Sequence, residues 1–92
     1  MTLGLSRKHL TEACERADIW GYQLLDAHPG REGAGPGLTL PAGRLDSFLE
    51  ALVLTLIEGG HGADAGEVSR RVCVEPKRSA LVAYWPGAGL AD

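Results

Sequence analysis

Between Leu38 and Gly60 the apolar positions fall into a helical rhythm. Leu45, Phe48, Leu49, Leu52 and Leu56 recur at spacings of three and four, the period of one helix face. Pro41 suits a first helical turn, where a missing N–H leaves no bond unmade. Asp46 and Glu50 lie toward the positive end of the helix dipole. Gly59 and Gly60 supply a stop, because glycine reaches the left-handed C-terminal conformation without steric cost. The pattern predicts a helix from Pro41 to Glu58, preceded by a short strand at Leu38-Thr39-Leu40.

From Ala51 to Ile57 only Thr55 is polar. A helix that is apolar all round needs cover on most sides. A 92-residue chain buries only about 60–65% of its unfolded surface. Either the other elements wrap this helix, or its second face meets a partner, most simply another copy of the chain. Leu49, Val53, Leu54, Leu56 and Ile57 are the candidate interface residues.

Ser6 is a helix N-cap, and Leu10, Ala13, Cys14 and Ala17 mark the inner face of a helix starting at Arg7. Residues 18–25 read as a strand with Trp20, Tyr22 and Leu24 on one face. The alternative carries the first helix on to Ala27, ahead of His28-Pro29-Gly30. Residues 28–37 and 59–66 read as glycine-rich loops. Val68 to Pro86 reads as a β-hairpin, with Val68, Val72 and Val74 on one face of its first arm. Its turn is Glu75 to Ser79, and Ala80 to Trp85 form the second arm. Residues 87–92 read as a loose tail. The expected fold is a single α+β domain spanning 1–92, in the order α-β-β-α-β-β, with the central helix packed on a small antiparallel sheet.

Composition narrows the class further. The formal net charge of −3 argues against a dedicated nucleic-acid coat, though not against a local basic patch. Wealth in Gly, Ala, Leu and Arg, with two lysines, points to a GC-rich bacterial genome. No leader-like apolar stretch follows Met1, and no apolar run reaches the roughly 18 residues of a membrane span. A cytoplasmic protein is expected, with Cys14 and Cys73 as thiols and not a disulfide.

The sequence spells out no catalytic apparatus. His9, His28 and His61 have no second ligand at tight spacing, so no metal site is expected; His61 with Asp64 reads as part of a solvated loop. The serines lack a glycine-flanked elbow. The segment GREGAGPG lacks the Lys-Ser/Thr that closes a phosphate loop and does not fit the dinucleotide fingerprint, so no cofactor is expected.

The remaining signal is basic. Arg70-Arg71 and Lys77-Arg78 fall in the predicted hairpin, which could enter a nucleic-acid groove while Trp20 and Tyr22 stack on bases. The run of a glycine-rich loop, a strand and a proline-started helix, Arg31 to Leu54, resembles the C-terminal part of a family of single-strand-binding transcription regulators. Arg31 and Glu32 stand where that family carries a lysine-rich loop, and the resemblance rests on common elements alone. The leading expectation is therefore a non-enzymatic binding or adaptor protein, homodimeric and without membrane contact, acting through an apolar helix surface. The alternative is a nucleic-acid-binding regulator using Arg70, Arg71, Lys77 and Arg78.

Overall fold

A computed structural model describes residues 4–25, 37–86 and 89–91. In chain order the elements are β1 (Gly4–Ser6), α1 (Arg7–Arg16), β2 (Gln23–Leu25), β3 (Gly37–Pro41), α2 (Leu45–Glu58), α3 (Gly62–Arg71), β4 (Cys73–Pro76), β5 (Ala80–Tyr84) and β6 (Gly89–Ala91). The fold is α+β, as expected. Strands β2, β3, β5 and β4 form an antiparallel sheet in that order. Leu24, Leu38, Ala83 and Val74 stand in register across it, as do Leu40 and Leu81.

The helices cover the sheet face that carries Leu38, Leu40 and Ala83. These side chains share one core with Leu10 and Cys14 of α1, Phe48, Leu52 and Leu56 of α2, and Ala65 and Val68 of α3. Helix α2 packs between α1 and α3. Trp85 fills the core beside Phe48, and its indole N–H donates to the Val68 carbonyl at 2.8 Å. On the other sheet face Val82 and Tyr84 make a smaller cluster with Leu25 and Cys73.

Helix α1 starts as its sequence dictates: the Ser6 hydroxyl accepts from the Lys8 N–H at 3.0 Å. It ends in a Schellman turn. The Asp18 N–H donates to the Glu15 carbonyl and the Ile19 N–H to that of Cys14, with Asp18 at φ +57°. This turn corrects the early strand. Asp18 and Ile19 are consumed in capping α1, Gly21 adopts φ +82°, and only Gln23–Leu25 pair with β3. The Arg44 guanidinium donates to the Ala17 carbonyl at 2.7 Å, tying the start of α2 to the end of α1.

Helix α2 begins at Leu45, four residues later than expected. Pro41 closes β3 instead of opening the helix. The Arg44 N–H bonds back to the Pro41 carbonyl across Ala42-Gly43, and Gly43 takes φ +86°, a turn that needs glycine at its third position. At the other end the expected stop holds. Gly60 has φ +84°, while Gly60 and His61 donate to the Ile57 and Leu56 carbonyls in a second Schellman turn.

Three further expectations are corrected. Residues 62–71 form helix α3, not a loop followed by a hairpin arm. Asp64 and the pair Arg70-Arg71 complement the dipole at its two ends, and Ala65 and Val68 face the core, so the observed order is β-α-β-β-α-α-β-β-β. The hairpin is real but shorter, Cys73–Pro76 against Ala80–Tyr84. Pro76 ends the edge strand, where a missing N–H breaks no ladder. Gly89–Ala91, expected in the tail, pair in parallel with Gly4–Ser6. The loop expected at 28–37 lies outside the described residues except Gly37, which belongs to β3. Among the described residues no helix is long and apolar enough to cross a membrane.

Candidate functional site

The apolar stretch of α2 divides cleanly by face. Phe48, Ala51, Leu52, Thr55 and Leu56 are buried, and the Thr55 hydroxyl is satisfied by the Ala51 carbonyl at 2.8 Å. Leu56, expected at the interface, is fully buried; the helix turns it into the core between α1 and α3. Leu49 and Val53 are half-buried against that core. Leu54 and Ile57 point outward, 45% and 55% exposed. They are three residues apart and so are neighbours on one helix face. Beside Leu54 a hollow of about 250 Å³ opens between the end of α1 and the outer side of α2, lined by Arg16, Ala17, Ser47, Glu50, Ala51 and Leu54.

The basic residues are not gathered into one groove. Arg70 and Arg71 sit on the last turn of α3, where Glu67 pairs with them at 3.6 Å and 2.9 Å. Lys77 and Arg78 belong to the β4–β5 turn, and Lys77 pairs with Glu75 at 3.4 Å. Strand β4, about 10 Å of extended chain, lies between the two pairs. Tyr22 adjoins β2, at the opposite sheet edge from β4 and roughly 14 Å away across three strand spacings. Trp20 is 68% exposed, and its indole N–H donates to the Asp18 carboxylate at 2.8 Å. Tyr22 is half-buried against the core. The structure brings none of the four basic side chains into a shared cleft with these aromatics.

One association was invisible in the sequence. His9, on α1, meets His61, the residue before α3, with ring centroids 5.0 Å apart and planes inclined by 67°. His9 Nδ1 is buried without a hydrogen-bond partner. Burial holds the His9 imidazole below its ordinary pKa of 6.5, helped by His61 and Lys8 and opposed by Glu12 and Asp64. A cleft of about 290 Å³ adjoins His9, lined by Lys8, His9, Glu12, Thr55, Glu58 and Gly59. Fifty-two positions separate the two histidines, so only the packing of α1 against the α2–α3 junction juxtaposes them.

Among the described residues no three His, Cys, Asp or Glu side chains are grouped to hold a metal ion. Both cysteines are free. Burial, with Glu15 nearby, pushes the Cys14 thiol up to about 11, which keeps it protonated and poorly nucleophilic. Comparison with protein-family models, with curated proteins and with solved structures gives no match.

Proposed function

We propose that this chain is a non-enzymatic binding module, of an adaptor or regulatory kind, whose contact surface is the outer face of α2 and whose partner is a second copy of itself. The observation that carries the reading is the pair Leu54 and Ile57, large apolar side chains half exposed side by side on one helix. The same face also carries a recess beside its protruding side chain, an arrangement that suits exchange between two copies. Leu54 is both a knob and a wall of the adjacent hollow, and that hollow holds one cation, Arg16, and one anion, Glu50. A two-fold axis near Leu54 would set each knob over the other copy's hollow, with Glu50 at its rim and Arg16 already paired to Glu58 of its own chain.

Magnitudes set the scale of the association. Burying the exposed halves of Leu54 and Ile57 contributes on the order of 1 kcal/mol per side chain, about 4 kcal/mol over two copies. Docking costs at least a comparable amount in lost rigid-body freedom. The half-buried Leu49 and Val53 supply the surplus, so the dimer belongs in the micromolar range.

Sedimentation velocity over a wide concentration range is the test. The expected result is a mass that rises with concentration in the native chain and stays monomeric in Leu54→Glu. A native chain that remains monomeric at hundreds of micromolar rules out self-association.

Nucleic-acid binding through Arg70, Arg71, Lys77 and Arg78 is the weaker reading. Those charges are divided between two sites, and Glu67 and Glu75 form ion pairs with three of them.

A further inference from the structure

We propose that the contact between His9 and His61 is an acid-sensitive latch: the neutral rings hold α1 against the α2–α3 turn, and protonation of His9 releases it. The inference is independent of the outer face of α2.

The contact sits where it can act on the fold. His9 lies on α1, and its ring meets that of His61 edge to face with centroids 5.0 Å apart. His61 is the joint between the other two helices. Its N–H donates to the Leu56 carbonyl of α2 at 2.7 Å, and its own carbonyl accepts from Asp64 and Ala65 of α3 at 3.0 Å and 3.1 Å. A force on the His61 ring therefore bears on the turn that links α2 to α3.

Only the neutral form of His9 suits this place. Its Nδ1 is buried and has no hydrogen-bond partner among the described residues. A neutral imidazole can leave that nitrogen bare and carry its proton on Nε2, whereas an imidazolium carries a proton on both. Protonation thus sets an N–H where no acceptor meets it, which costs free energy. The new charge also stands beside the second imidazole and Lys8, near the positive end of the α3 dipole. Glu12 of α1 and Asp64 of α3 attract it. Glu58 of α2 lines the same cleft as His9 but is already held by Arg16. Burial and repulsion prevail, so the imidazole is held below its ordinary value of 6.5.

The direction of the response follows. Opening α1 returns His9 to water and to its ordinary affinity for a proton. The open form then binds the proton more tightly than the closed form, and acid draws the equilibrium toward it. The latch has its full strength above 6.5 and weakens as pH falls from there to the folded-state value.

The experiment is amide hydrogen exchange of the full chain, followed by NMR at about pH 7.5 and about pH 5.5 and corrected for the intrinsic pH dependence of exchange. Expected is a loss of protection in acid that is confined to α1 and the turn at Gly59 to His61, while the β3–β5 ladder stays protected. His9→Gln, which gains no proton in this range, abolishes the loss, and His28→Gln leaves it intact. Overturning results are no loss in the native chain, a loss spread evenly over the sheet, an equal loss in His9→Gln, or its disappearance in His28→Gln. Should His9→Gln fail to fold, the native chain decides it. The acid-induced shifts of the α1 amide signals must then share their midpoint with the His9 imidazole, and a separate midpoint overturns the latch.

Discussion

Arg16 and Glu58 form a two-pronged ion pair: Nη1 and Nη2 of the guanidinium donate to the two carboxylate oxygens, each at 2.8 Å. The pair joins the last residue of α1 to the last residue of α2. Its fork geometry is the strongest form of a surface ion pair, although water still screens it. The hydrogen bond from Arg16, and then its charge, hold the Glu58 carboxyl below its ordinary value of 4.5. A depressed carboxylate stabilises the fold above that ordinary value and loses its contribution as pH falls through the folded-state value. Chemical denaturation of the native chain and Glu58→Gln should therefore differ modestly at neutral pH and converge in acid. The difference should shrink in high salt, and Arg16→Glu with Glu58→Arg should restore part of it.

Helix α2 should respond oppositely to truncation on its two faces. Leu52 and Leu56 are wholly buried, so replacing either by alanine leaves a cavity and should cost about 2–5 kcal/mol in urea unfolding. Leu54→Ala should change the unfolding of dilute monomer by no more than about 0.5 kcal/mol, yet weaken self-association. A Leu54→Ala chain as unstable as Leu56→Ala would mean that Leu54 belongs to the core.

That division was half readable beforehand. The three-four spacing located α2, and the excess of apolar residues over one face flagged the surface. Periodicity alone did not assign Leu56 inward and Ile57 outward, because both flanks of a nearly all-apolar helix look alike. Helix α3 was obscured for a different reason. Gly62 and Gly66 argue for a loop by propensity, yet the spacing of Ala65, Val68 and Val72, with Asp64 at one end and Arg70-Arg71 at the other, carried the helical signal. The early strand failed on a cap: Asp18 in the left-handed conformation gives no sign of itself in the alternation of Trp20 and Tyr22. Pairing of Gly4–Ser6 with Gly89–Ala91, and of His9 with His61, links positions far apart in the chain, where a local pattern has nothing to say.

The two thiols should separate by reactivity. Cys14 is fully buried and its pKa is pushed up to about 11, whereas Cys73 lies half-buried on the edge strand β4. At pH 8, a thiol reagent should modify Cys73 promptly and Cys14 only at the rate of unfolding. The expected titration is one fast thiol per native chain and two in denaturant. Two fast thiols would show that α1 opens readily from the core.

Two glycine substitutions should move stability in opposite directions. Gly37 lies in β3 opposite Tyr84, and a Cβ placed there would stand 2.5 Å from the Ala83 carbonyl oxygen and 2.9 Å from Tyr84 Cβ. Both obstacles belong to the central strand β5 and cannot swing aside, so Gly37→Ala must spread the β3–β5 ladder. A loss of about 1–3 kcal/mol is expected, the usual cost of overpacking. Gly66 is exposed inside α3, and a Cβ there meets nothing within 4 Å. Alanine at that position removes backbone freedom from the unfolded chain and adds helix propensity, so Gly66→Ala should stabilise by about 0.4–1 kcal/mol. Thermal unfolding of the two variants checks both signs together. Destabilisation by Gly66→Ala would argue against α3 as a regular helix, and tolerance of Gly37→Ala would argue against the close β3–β5 approach.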